Sequence, residues 1–189
     1  NQYLASINLQ PNAISLDDSN LSRAEQLCKK TNQFNLRTIR HSIAEIKKFK
    51  AINDDFIFLV SLEDNYGDHG IVALVCLEQL SENSIFIDTF LISCRVLGRH
   101  LESWILSEVL KRMSKYGLRY LIAEFIETEQ NAVAENFLHN YGFSELTKDL
   151  KLDSDLLNFH DNKLPYYMDT KNAKIQKINI NEGVMKHGP

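Results

Sequence analysis

Eight consecutive residues, Ser93-Cys-Arg-Val-Leu-Gly-Arg-His100, carry the side-chain types that anion chemistry uses. They join an apolar run, IFIDTFLI, to an amphipathic one, LESWILSEVLKRM. A strand that ends in a glycine turn and enters a helix leaves backbone N–H groups unpaired at the positive end of the helix dipole. Such a turn is a seat for an anion. Gly98 lets the backbone approach closely because it has no Cβ. Arg95 and Arg99 add donors suited to phosphate oxygens. The same residues also read as a tight turn with two solvated arginines.

Other groups nearby have chemistry of their own. Cys94 stands at the helix head beside Arg95, a setting that favours a thiolate nucleophile; it also reads as a small packing residue. Asp88, Glu124 and Glu127 lie on or after apolar runs, where a buried carboxylate with a raised pKa acts as a general base. Each also reads as a solvated or capping acid. Asn32, Gln33 and Asn35 sit in a polar block, TNQFNLRT, and can hydrogen-bond a ligand amide or hold a loop by local turns. His69, in a turn, reads as exposed.

The elements that must position these groups follow from periodicity. YLASINLQPNAI alternates as a first strand ending near Pro11. Leu21, Ala24, Leu27 and Cys28 have helical spacing after a run of cap residues. TNQFNLRT reads as a connecting loop, and Ser42 with Glu45 forms a capping box for a second helix. Two strands flank a turn over Asp64, Asn65, Gly67, Asp68 and Gly70. SIFIDTFLI, apolar on both faces, is the fourth strand and central. The helix after it has Leu101, Ile105, Val109 and Met113 in one stripe, widened by Trp104, Leu106 and Leu110, with Gly117 as its C-terminal cap. LRYLIAEFI is a fifth strand, TEQNAVAENFLHNYGF a short helix, SELTKDLKL a sixth strand and LPYYMDTK a seventh. The order β-α-α-β-β-β-α-β-α-β-β predicts an α+β fold, with a mixed sheet of about seven strands and helices on both faces. A single domain over 1–170 is expected, with a polar, loosely ordered tail over 171–189.

Composition narrows the function classes. At 189 residues the chain has room for one full core. A net charge of −4 gives no overall attraction to nucleic acid or anionic membrane. No apolar run is long enough for a membrane span, and no signal peptide is expected. Three cysteines, far apart and odd in number, argue against a disulfide framework and for a reducing cytoplasm. The six histidines are scattered and no CxxC occurs, so no metal site is expected.

Arg95-Val-Leu-Gly98-Arg-His100 resembles the R/Q-x-x-G-x-G/A loop of the GNAT acyltransferase superfamily, which also lies between a central fourth strand and a helix. Asn131-Ala-Val-Ala134, with Phe137 and Tyr141-Gly-Phe143, resembles that family's N-x-x-A…GF segment. The resemblance implies the GNAT acyl-CoA N-acyltransferase fold and a loop around Arg95, Val96, Gly98, Arg99 and His100 whose amides hold the pyrophosphate of coenzyme A. It implies a pantetheine contact from Asn131. It also implies backbone N–H groups near Phe90, Ile92 and Ser93 that face a thioester carbonyl. Two positions depart from the pattern: His100 stands where the family has Gly or Ala, and Leu138 where many members have a Tyr that protonates the leaving thiolate. Tyr141 lies one step from Leu138's face.

Three separated blocks are more specific. Arg23 to Thr38 (RAEQLCKKTNQFNLRT), DNYGDHGIV and DTFLISCRVLGR resemble, in order, the C-terminal domain of FkbH-like proteins. Those proteins couple a haloacid-dehalogenase (HAD) type domain to a GNAT-like one and are associated with loading a glyceryl unit onto an acyl carrier protein for polyketide extender units. The resemblance implies an acyl thioester ligand, either coenzyme A (as acetyl-CoA) or carrier-protein phosphopantetheine, with a carrier protein or a small molecule as acyl acceptor. It makes Cys94, Asp88 and Glu127 candidate catalytic groups and Asn32, Gln33 and Asn35 candidate substrate contacts. The only D-x-D after an apolar alternation, Asp153 to Asp155, reads as a surface turn, so the chain corresponds to the GNAT-like part without the HAD domain. The alternative is a catalytically silent module that docks a carrier protein beside a HAD-type enzyme.

Overall fold

The computed structural model describes residues 8–146 and 165–171. β1 (Gln10–Ser15), β3 (Ile57–Asp64), β4 (Gly67–Gln79) and β5 (Ser84–Ile92) form antiparallel neighbours in that order. β6 (Tyr120–Ala123) adds in parallel to β5, and β8 (Tyr166–Asp169) and β7 (Ser144–Glu145) continue the sheet. A short eighth strand, β2 (Phe34–Asn35), pairs with β5. Five α-helices, α1 (Leu21–Lys30), α2 (Ile43–Ile52), α3 (Leu101–Lys115), α4 (Ala132–Glu135) and α5 (Phe137–Asn140), and two 3-10 helices, Asp54–Phe56 and Cys94–Val96, complete the described fold.

Strand alternation divides the core in two. Ile57 and Leu59 of β3 with Leu74 and Cys76 of β4 meet Leu21, Ala24, Leu27 and Cys28 of α1 and Ile46 of α2. Phe58, Val60 and Leu62 with Val75 and Leu77 meet Ile105, Val109 and Met113 of α3. The predicted α3 stripe is the buried one, and the helix closes at Gly117, whose φ of +68° suits a residue without Cβ. The capping box forms as expected: the Ser42 hydroxyl accepts from the Glu45 N–H, and the Glu45 carboxylate accepts from the Ser42 N–H.

Several boundaries differ from the sequence reading. The first strand runs through Pro11 instead of ending there, because β1 is an edge strand and a missing N–H costs nothing on the open side. The hairpin turn shrinks to Asn65–Tyr66; Gly67 and Gly70 belong to β4, at positive φ, beside two shifts in the β3–β4 register. The helix after the fifth expected strand is two short pieces broken at Asn136. The polar block expected as a loop contains β2. Of the sixth expected strand, Ser144–Glu145 is seen. Its remainder, the Asp153–Asp155 turn, the start of the first expected strand and residues 172–189 of the tail lie outside the described residues.

Candidate functional site

β5 leaves the sheet at Ser93, whose N–H donates to Val72 O at 2.7 Å. A 3-10 turn over Cys94–Val96 follows, pinned by the buried Val96. The chain then takes two left-handed residues, Gly98 (φ +78°) and His100 (φ +56°, ψ +28°), and enters α3. Glycine adopts that conformation freely; histidine does so at a cost, which explains why Gly fits position 100 best. The first-turn N–H groups of Leu101, Glu102 and Ser103 have no intrahelical acceptor, and no described residue supplies one. The His100 side chain turns toward Glu102, with Nδ1 3.7 Å from Oε1. The backbone therefore leaves three N–H groups without a protein acceptor at the head of α3.

The two arginines of the loop differ. Arg99 is committed: its guanidinium pairs with Asp64 of the β3–β4 hairpin, whose carboxylate also takes His69 Nε2 at 2.9 Å and the Tyr66 N–H at 2.8 Å. Burial raises the Asp64 pKa, but the Tyr66 N–H, His69 and Arg99 outweigh it and hold the carboxyl below the usual range. Arg95 is exposed and lightly held, with contacts of 3.5 Å to Ser93 Oγ and to His69 O. Lys111 pairs with Glu108 along α3. Arg95 is thus the less engaged of the two loop arginines.

Beneath the loop, β5 and β6 pair only over Ser84–Phe86 and Tyr120–Ile122, then separate. A bulge marks the same place: Ile87 faces Leu77 and Thr89 faces Cys76, so Asp88 has no partner across the ladder. The gap is filled from the polar block. Phe34 and Asn35 pair with Ile92 and Leu91, the Leu36 N–H donates to Phe90 O at 3.3 Å, and the Ile126 N–H donates to Leu36 O at 2.8 Å. Phe90 to Ile92 is therefore paired to β4 on one side and to the Phe34–Leu36 segment on the other. The backbone expected to face a thioester is already engaged, and the side chains of Phe90 and Ile92 are core.

Arg37 stands where the strands part. Its Nη1 lies 2.7 Å from Asp88 Oδ1, its Nε 2.9 Å from Glu124 Oε2, and its guanidinium rests on the Phe86 ring at 4.7 Å. Asp88 Oδ2 takes His41 Nε2 at 2.6 Å and the Thr89 hydroxyl at 2.8 Å. Burial alone would raise the Asp88 pKa, but His41, Arg37 and Thr89 prevail and lower it. Asp88 is thus an ionised partner rather than the raised-pKa base expected. The imidazole it orients is the better candidate base. Sequence reading missed both His41 and Arg37. The available signal was Asp88 itself, since an acid inside IFIDTFLI requires buried partners.

The remaining candidates fall in different places. Cys94 is exposed on the loop, whereas Cys28 and Cys76 are buried, and burial pushes the Cys28 thiol up to about 11. Glu127 is exposed beyond β6. Asn131 is fully buried: its Nδ2 donates to Asn35 O at 3.0 Å and Ile126 O at 2.9 Å, and its Oδ1 accepts from the Thr128 N–H at 2.8 Å. Asn35 Nδ2 donates to Thr31 O, and its Oδ1 accepts from the Arg37 and Thr38 N–H groups. Asn32 accepts from Arg40, and Gln33 is exposed. Both buried asparagines therefore spend their side chains on the chain itself. Leu138 is core, and Tyr141 Oη lies 3.4 Å from Glu102 Oε1, its phenol pushed up to about 12 by burial and by that carboxylate.

No family model matches the sequence, and no curated protein matches it. Solved structures do. A GNAT-family acetyltransferase from Staphylococcus aureus Mu50 superposes with a TM-score of 0.61 at 14% identity, over 85% of this chain and 99% of its own. Rv2747 from Mycobacterium tuberculosis, solved with CoA, gives 0.60 at 13% identity, over 84% and 98%. A spermidine N-acetyltransferase from Vibrio cholerae, solved with CoA and spermine, gives 0.56 at 14% identity, over 86% and 96%. The chain has the GNAT acyltransferase fold. Among the described residues no helix is long and apolar enough to cross a membrane, and no three His, Cys, Asp or Glu side chains group as a metal set.

Proposed function

We propose that the chain is a GNAT-fold, acyl-thioester-binding domain of the FkbH-like kind, spanning residues 1–170. Its ligand is coenzyme A or the phosphopantetheine of an acyl carrier protein, and its reaction is acyl transfer to that carrier or to a small acceptor. The observation that carries the reading is the free N–H row at the head of α3, behind two left-handed residues and beside the loosely held Arg95. Amides at a helix N-terminus suit a pyrophosphate or phosphate ester. Two of the structural neighbours, Rv2747 and the Vibrio enzyme, were solved with CoA, which supports the same choice. Cys94, exposed on the same loop, is the candidate for a transient acyl carrier.

The filled gap between β5 and β6 favours a second reading. With Phe34–Leu36 paired to β5 there, the module docks a carrier protein for a partner such as a HAD-type enzyme and moves no acyl group itself. Thermal melts decide first whether the seat binds. A ligand at 100 times its Kd raises stability by about 2.7 kcal/mol. Acetyl-CoA and a phosphopantetheinylated carrier protein are expected to raise Tm, and Gly98→Glu, which places a carboxylate at the seat, to abolish the rise. No rise with either thioester removes the proposal. Binding of both with no acyl release or transfer selects docking.

A further inference from the structure

Where β5 turns away at Ser93, β4 loses a neighbour. β5 pairs with β4 only over Ala73–Gln79, so β4 from Gly67 to Ile71 has β3 alone beside it in the ladder. Two arginines take carbonyls of this uncovered stretch. Arg23 of α1 donates to Ile71 O from Nε at 3.1 Å and from Nη2 at 2.8 Å, and its Nη1 donates to the Gln26 side chain. Arg95 of the loop reaches His69 O from Nη2 at 3.5 Å. The two carbonyls are two residues apart on one strand, roughly 7 Å or less, so the guanidiniums are neighbours. Burial lowers the Arg23 pKa, and the charge of Arg95 adds to that. Every described contact of the pair is to a carbonyl, to Gln26 or to Ser93, and none is to an acid. The acids of the adjoining elements are engaged elsewhere: Asp64 with Arg99 and His69, Glu25 with Lys29, and Asp68 with the Gly70 N–H. Two like charges held together repel unless an anion lies between them.

We infer that Arg23 and Arg95 form an anion subsite for a phosphate monoester, on the α1 side of the loop and distinct from the amide row at the head of α3. A phosphate monoester is close to a dianion at neutral pH and answers both cations, whereas a carboxylate answers one. Arg23 is half-buried, and Ile71 O and Gln26 occupy three of its five N–H donors. Its fork is therefore fixed in advance, with two donors left for a ligand. Arg95, exposed and held only at 3.5 Å, supplies the second fork. The subsite goes beyond the thioester reading, because α1 covers the face of the sheet opposite α3. The phosphate has two possible sources: the thioester ligand itself, or the acyl acceptor.

Titration of the full chain with methyl phosphate, followed by arginine 15Nε–1H correlations, tests the inference. The Arg23 and Arg95 signals are expected to shift saturably, while Arg37, Arg112 and Arg119, each already on a carboxylate, stay. Methyl sulfate, of the same shape with a single charge, should bind about ten-fold more weakly. Arg23→Gln should weaken methyl phosphate by about ten-fold, and Arg23→Lys, which keeps the charge without the fork, by less. Titration calorimetry then names the source. CoA binding about ten-fold tighter than dephospho-CoA in the wild type, and no tighter in Arg23→Gln, puts the phosphate on the thioester ligand. Equal affinities, with methyl phosphate still binding the dephospho-CoA complex, put it on the acceptor. Methyl phosphate moving all arginines alike without saturation, methyl sulfate matching it, or Arg23→Gln binding it as tightly as the wild type overturns the inference. If Arg23→Gln fails to fold, the wild-type titrations with the two esters still decide. Dephospho-CoA reads the α3 amides without the extra phosphate, so the two proposals can fail separately.

Discussion

The middle and the C-terminal end of β5 solve opposite problems. At its end the chain leaves backbone N–H groups free, in a loop bent by two left-handed residues, with Arg95 barely held. At its middle, the charge of Asp88 is answered: Arg37 bridges it to Glu124, His41 and Thr89 take the other carboxylate oxygen, and no buried polar side-chain atom among the described residues is orphaned. A buried charge is tolerated only when paired, so the middle must be closed to be stable. The exposed loop can leave donors to water and exchange them for a ligand. One strand thus supplies a rigid floor and an open mouth.

The largest effect expected from breaking this contrast is at the floor. Arg37→Ala removes the cation shared by the buried Asp88 and Glu124, leaving Asp88 to His41 and Thr89, and should cost about 3 kcal/mol in chemical denaturation. Adding Glu124→Gln should recover part of the loss, because a neutral amide removes one buried charge that has lost its cation.

Next comes acid. The Asp88 pKa is lowered in the fold, so its contribution is fully present above the unfolded value, roughly 4, and is lost as pH falls through the lower folded value. Stability–pH curves should therefore drop on acidification in the wild type and flatten in Asp88→Asn over that window. An equal slope in both would remove Asp88 from the account.

At the mouth, His100→Gly relieves a left-handed side chain and should raise stability by about 1 kcal/mol, measurable as Tm, with anion binding retained. Asp64→Asn should free Arg99 and tighten pyrophosphate binding in titration calorimetry by a few-fold, the smaller effect because Arg95 is already available. Iodoacetamide on the native protein should mark Cys94 alone, since Cys28 and Cys76 are buried. Labelling of Cys28 at a comparable rate would show that the floor opens.

What the sequence disclosed follows the same division. The α3 stripe, the Ser42–Glu45 box and the glycine turn at Gly98 were legible because each is written within a few residues. Arg37 and His41 were not, because their partners lie 47 to 87 residues away and only the folded sheet brings them together. β2 was missed for a related reason: two residues carry no period, and Asn35 reads as a loop former until its side chain is seen closing a turn. Pro11 misled because edge position, which excuses a proline, is a property of the sheet and not of the strand.

The Phe34–Leu36 segment also bears on how the molecule assembles. It joins β5 and the chain after β6, segments far from it in sequence, so its pairing waits until both are in place. It should dock late and loosen early. The Leu36 and Ile126 amides should then exchange with deuterium ahead of the β3–β4 ladder, and that ordering would make this wedge the first part of the sheet to yield.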